Sequence, residues 1–121
     1  MSEGDDRLAR LARQEQEWAQ RAERAQALAA QAYARLLTLA QGETGQAGRA
    51  AKFLAATYNS VGYHFDLSEL RAVDVEISDN MLICLDALRW GKADLHTLVP
   101  GGARRVQAII IAWGFKPASW Q

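Results

Sequence analysis

A chain of 121 residues, half of them apolar, with fourteen basic residues balancing fourteen acidic ones, has the make-up of about one folded domain rather than a disordered tail. The zero net charge argues against a dedicated nucleic-acid binder, which carries a basic excess, and the single cysteine, Cys84, rules out an internal disulfide. The opening MSEGDDRLAR has no apolar run behind it, and no stretch approaches the ~20 apolar residues that cross a bilayer; the expectation is a cytoplasmic protein with no membrane partner.

Residues 5–41 are rich in Ala, Arg, Gln, Glu and Leu and contain neither Pro nor Gly, a composition that favours helix throughout. Leu8, Leu11, Glu15, Trp18, Ala22, Ala25, Ala29, Ala32, Leu36 and Leu39 alternate in steps of three and four, which is a heptad seam. One helix of about 35 residues would be roughly 50 Å long, more than the rest of the chain can cover. The chain therefore divides into a long coiled-coil-like N-terminal helix (1–41) and a small helical domain (42–121). Two readings follow: a long surface helix lying partly on its own domain, or a helix pairing with a second copy of itself; the length favours the second. The self-association residues are Leu8, Leu11, Trp18, Ala22, Ala25, Ala29, Ala32 and Leu36, with the alanines allowing close approach and the larger side chains supplying the burial.

The next stretch, LLTLAQGETGQAGRAAKFL (36–54), holds Gly42, Gly45 and Gly48 ahead of Arg49 and Lys52. A phosphate-binding loop needs a preceding strand and a G-x-x-x-x-G-K-[ST] order. Here a helix precedes, the glycine spacing is one residue too long, and Arg49–Ala50 stand in the Lys–Ser/Thr positions. As a joint the stretch is coherent: Gly42 ends one helix in a left-handed conformation, and Thr44 caps the next. That helix should bury Ala50, Phe53, Leu54, Thr57 and Tyr58. Asn59, Ser60 and Gly62 break it. Asp66 and Glu69 are spaced as a capping box, with Phe65 and Leu70 as its staple, so a helix should start at Leu67.

Val73, Val75 and Ile77 alternate like a strand, but a lone strand has no partner. The better reading is a helix over 79–90, capped by Ser78, with Met81, Leu82, Cys84, Leu85 and Leu88 inward. WGKADLHTLVPGG reads as a loop region with a short helical turn at 94–98. A last helix, roughly 103–113, buries Val106, Ile109, Ile110 and Trp113 and ends at Gly114, with Pro117 preventing continuation. The whole is an all-α fold: a long N-terminal helix followed by a compact bundle of about four shorter helices.

No residue set carries catalytic or cofactor chemistry. His64 and His96 each have an aspartate nearby, but nothing in the spacing makes them converge on a metal. Asp74, Glu76 and Asp79 lack the rhythm of a calcium loop. Cys84 sits in an apolar helix as an inert thiol. The expectation is no enzyme, no cofactor and no metal site. Charge is uneven, however. Residues 66–94 hold seven acids against three bases, and residues 95–121 hold Arg104, Arg105 and Lys116 with no acid. These three cations are the candidates for phosphate contact, Arg104 and Arg105 opening the last helix where its N–H groups point outward. Trp18, Trp90, Trp113 and Trp120 are many for the length, and any left exposed would mark an interaction surface.

GETGQAGRAAKFLAATYN, FDLSELRAVD and ISDNMLICLD together resemble an uncharacterised proteobacterial family of short proteins, often found on integrative and conjugative elements and plasmids. The resemblance covers roughly residues 42–90, and more loosely extends to Phe115; it departs from the family at Ala56 and Thr57, where aromatic residues are commoner. It implies a mobile-element accessory protein and carries no site residues with it. Residues and resemblance together lead to the expectation of a homodimeric, non-catalytic adaptor or regulator acting on an as yet unidentified protein partner. The alternative is a nucleic-acid accessory protein using the basic patch at the last helix.

Overall fold

The first helix begins where Ser2 caps it, its hydroxyl accepting from the Asp5 N–H at 3.2 Å. Glu3, Asp5 and Asp6 in the first turn complement the helix dipole. The computed structural model describes residues 2–118. It contains α1 (Glu3–Ala40), α2 (Gly45–Tyr58), α3 (Val75–Trp90) and α4 (Gly102–Trp113), with 3-10 turns at Leu67–Arg71 and Leu95–Leu98. No strand occurs among the described residues. The fold is all-α, a long N-terminal helix followed by shorter ones, as the periodicity predicts.

Along its second half α1 is the spine of the molecule, packing chiefly on α3 and α2. Arg35 donates to the Asn80 side chain at 3.4 Å, and Arg21 lies over the Trp90 ring, 5.3 Å from its centroid. Positions 35 and 21 of α1 thus meet positions 80 and 90 of α3, so α3 runs antiparallel to α1. Ala25, Ala29 and Ala32 are buried in this contact layer with Tyr33, Leu36 and Leu37. The core is completed by Phe53 and Leu54 of α2, Met81 and Cys84 of α3, and Val106, Ile109 and Ile110 of α4. Small side chains on α1 let the other helices approach its backbone, and the bulk comes from the helices that cover it. Tyr33 is fully enclosed. Its hydroxyl has no hydrogen-bond partner among the described residues, and burial raises its pKa, with Cys84 and Tyr58 adding to the rise and Arg105 opposing it.

Thr44 caps α2 as expected, its hydroxyl accepting from the Ala47 N–H at 3.1 Å. Gly42 differs from expectation: the left-handed glycines are Gly91, Gly101 and Gly114, and α1 closes instead through right-handed Gln41, whose N–H reaches the Thr38 carbonyl at 3.3 Å. The last carbonyls of α1 find another donor in Trp113, whose Nε1–H donates to Ala40 at 2.8 Å. Gly48 explains itself here too, since a Cβ would stand 3.1 Å from the Trp113 ring. Gly102 opens α4 because a Cβ there would run into the His96 carbonyl.

The start at Leu67 is a 3-10 turn rather than an α-helix, and Leu67 itself is exposed. Asp66 caps it by accepting from the Ser68 N–H at 2.9 Å and its hydroxyl at 2.8 Å; these bonds hold the carboxyl below its usual pKa. Glu69 does not complete the capping box. Its carboxylate turns to Arg49 (3.4 Å) and Lys52 (3.2 Å) on α2. α3 begins at Val75, four residues before the predicted start, because Gln46 clamps Asp74: the Asp74 N–H donates to Gln46 Oε1 at 2.7 Å, and Gln46 Nε2 donates to the Asp74 carboxylate at 3.2 Å. The strand-like alternation of Val73, Val75 and Ile77 is thereby absorbed into a helix start. Leu82 and Leu88, predicted inward, are exposed; Asn80 and Ala87 take the inward places.

Candidate interaction surfaces

Two features of the surface stand out. The first is the N-terminal half of α1. Every described residue from Ser2 to Arg21 is exposed, so about five helical turns project beyond the body as a free arm roughly 28 Å long. Leu8, Leu11 and Trp18 on the arm are 66%, 48% and 46% exposed. They lie on the same heptad line that continues into the core as Ala22, Ala25 and Ala29. The body ends at α3's C-terminus, where Arg21 and Arg89 flank the Trp90 ring at 5.3 and 4.7 Å. Among the described residues no ion pair involves any charge from Glu3 to Arg21.

This divides the seam. Ala22, Ala25, Ala29, Ala32 and Leu36 are at most 4% exposed within one chain and cannot meet a second copy while the domain is folded. The assignment of these five to self-association is corrected: they are core, because α3 and α2 already cover that face. Leu8, Leu11 and Trp18 remain available. The division at residue 41 is corrected for the same reason, since the packed body includes α1 from Ala22 onward.

The second feature is an open groove of about 560 Å³ between α4 and the α1–α2 joint. Its floor is Ala108, Ile109, Ala112 and Trp113, and Arg104, Arg105 and Glu43 stand along it. Arg104 and Arg105 are therefore brought together, as sequence order requires. Lys116 is not with them. It lies beyond the other end of α4, past left-handed Gly114, in a separate cleft with Lys52, His64 and Asp66. The three cations do not form one patch. Trp120 lies outside the described residues.

The remaining polar residues do not assemble. His96 packs edge-on against Tyr58, with ring centroids 5.0 Å apart, and lines a different cleft from His64. Among the described residues no group of three or more His, Cys, Asp or Glu is placed to hold a metal ion. Cys84 is fully buried, and burial pushes its thiol pKa up to about 12, the opposite of an activated nucleophile. No helix among the described residues is long and apolar enough to cross a membrane.

Residues 30–114 match a family described as "Family of unknown function (DUF7673)". The chain belongs to this family. The matched span runs from the packed half of α1 to Gly114 and leaves the free arm outside it. The chain is also similar to the N-acetyl-S-(2-succino)cysteine lyase of Dickeya dadantii (strain 3937), 30% identical over 80 residues. That stretch is 66% of this chain but 18% of the lyase, so the chain spans less than a fifth of the curated relative it matches. No solved structure matches.

Proposed function

We propose that this member of the DUF7673 family is a non-catalytic helical interaction protein, cytoplasmic, that self-associates through its α1 arm and serves as an adaptor or regulator for another protein. The observation that carries the reading is the arm itself: five turns of exposed helix bearing Leu8, Leu11 and Trp18 in line. An unpacked helix of this length is marginal in water and gains stability by burying its apolar stripe. A buried, high-pKa thiol and histidines in separate clefts give no support to catalysis. The likeness to a lyase covers too little of that enzyme to bring its activity here. The resemblance to families carried on mobile elements supports a role as a mobile-element accessory protein.

Sedimentation equilibrium tests self-association. The expected mass is about twice 13.4 kDa, falling to the monomer value when residues 2–20 are deleted. A monomer at tens of micromolar would overturn the reading. The side-by-side placement of Arg104 and Arg105 keeps a second reading, nucleic-acid contact, in view. Phosphate contacts weaken steeply with salt. Submicromolar duplex binding at about 150 mM salt, lost on Arg104→Ala with Arg105→Ala, would favour it over the adaptor role; the expected result is no measurable binding.

A further inference from the structure

The arm's charges fall in blocks. Glu3, Asp5 and Asp6 form an acidic tip; Arg7, Arg10 and Arg13 follow; then Glu15 and Glu17; then Arg21, where the body begins. Spacing of four residues lets some of these pair along the helix, as Asp6 with Arg10, yet among the described residues none is held in an ion pair. The blocks also decide how two arms can lie together. In a parallel, in-register pair each block faces its own kind, three acids against three acids and three arginines against three arginines. In an antiparallel pair with Leu8 of one arm level with Trp18 of the other, Leu11 is level with Glu15. Arg7 and Arg10 then lie along the second arm's Glu15 and Glu17, Arg13 sits at the axis level with its own copy, and Asp5 of the acidic tip reaches the level of Arg21.

We infer that the partner of the arm is a second copy of this chain in antiparallel orientation, with the two-fold axis near Arg13. The inference rests on the self-association proposed above. Leu8 and Leu11 of each copy, together with Trp18, form the apolar seam. Glu15 is a polar residue at a seam position, a placement that fixes register at some cost in stability. The end of the pairing is set by the fold. Where α3 stops at Trp90, α1 loses its cover, and Arg21 and Arg89 flank the indole there. The incoming tip, with Glu3, Asp5 and Asp6, fills that step and meets those cations. Opposite charge across the pair also suppresses the parallel alternative, because like charges brought together are penalised.

Orientation is read from distances. Ala12 and Ala19 are both exposed, uncharged and one heptad apart, so each has the same lateral relation to the seam. Cys84 is fully buried, and single variants Ala12→Cys and Ala19→Cys can be spin-labelled in the full-length chain. In the antiparallel pair the two Ala12 positions are offset by ~3 Å along the axis and the two Ala19 positions by ~18 Å, so the 19–19 distance exceeds the 12–12 distance. Equal distances in a sedimenting dimer would overturn the orientation while leaving self-association standing; a monomer would overturn both. Charge reversal gives an independent check. Arg7→Glu with Arg10→Glu and Arg13→Glu should weaken dimerisation at least tenfold, and adding Glu15→Lys with Glu17→Lys should restore most of it. No recovery in the five-fold variant would count against the antiparallel pairing, since a parallel pair gains nothing from the second set.

Discussion

The two halves of α1 are built on one heptad line and meet opposite fates. From Ala22 to Ala40 the line is mostly alanine, and it is buried. From Glu3 to Arg21 it carries Leu8, Leu11 and Trp18, and it is exposed. Small residues are inside and large apolar ones outside, the reverse of what hydrophobicity alone dictates. The reason lies in what each half has against it. The packed half receives α3 and α2, whose Met81, Cys84, Phe53 and Leu54 supply the volume, so alanine is what fits. The free half has no covering helix in its own chain, and its larger side chains are the burial it can offer to another. Periodicity therefore marks a face for contact, while side-chain size tells whether the contact is already filled.

The sharpest way to break this comparison is to place the same charge in both halves. Ala29→Glu puts an unpaired carboxylate at a fully buried site between α1 and the helices that cover it, and should cost on the order of 3–5 kcal/mol of folding stability. Leu8→Glu should leave the folding of the body unchanged and act on dimerisation alone. Thermal melts followed by circular dichroism at low protein concentration separate the two. Equal loss in both variants would mean that the arm is packed in solution.

A second prediction concerns the core that the packed half shares with α3. The folded-state pKa of Cys84 is raised from 9 to about 12 by burial. The neutral thiol is the form the core accepts, so its contribution is fully present below pH 9. As pH rises past 9 the unfolded chain loses the proton first, and stability declines until the folded thiol itself titrates near 12. By linkage the loss should reach about 2–3 kcal/mol by pH 11. Tyr33, also raised by burial, adds its own decline from its ordinary value of 10 upward. Cys84→Ala should therefore move the onset of alkaline destabilisation from near pH 9 to near pH 10. Denaturant titrations across pH 8–11 measure it, and an onset unmoved in the variant would show that the thiol is not the group concerned.

Local chemistry was legible in the sequence; tertiary coverage was not. Thr44 caps α2 through its hydroxyl and Gly114 ends α4, both as read, whereas the left-handed ending read at Gly42 is not found there. The heptad line was plain from its spacing. That α3 returns along only its second half depends on an antiparallel packing fixed by contacts such as Arg35 with Asn80, 45 residues apart in the chain. The start of α3 was misplaced for a similar reason, since its cap is clamped by Gln46 from α2. On the surface, Arg104 and Arg105 are neighbours in sequence and in the groove, whereas Lys116 is separated from them by the length of α4, a consequence visible once the helix is known to run unbroken to Trp113. Gly48 could have hinted at the Trp113 contact, since a glycine early in a helix calls for a packing reason, but nothing in the sequence names the ring that fills the space.

The smallest expected effect is the most informative about the free half. Deleting residues 2–20 removes half of the longest helix, yet it removes no buried side chain and, of bonds to the body, only the one turn of helical N–H bonds that residues 21–24 donate to the carbonyls of residues 17–20. Its other helical hydrogen bonds are made within the arm, and the turn at the cut is open to water, where the freed N–H groups are solvated, so the loss on deletion is nearly neutral for the rest of the chain. The stability of the remaining domain, measured below the dimerisation concentration, should change by no more than about 0.5 kcal/mol. The contact between Arg21 and Trp90 stays on the retained side of the cut. Far-ultraviolet circular dichroism should fall by the helical signal of the missing residues, and the urea m-value should hold, because the surface exposed on unfolding lies in the body. A drop in stability well beyond that at micromolar protein would mean that the arm folds back on its own domain. A drop appearing only as protein concentration rises would instead be the linkage signature of a second copy binding the folded arm.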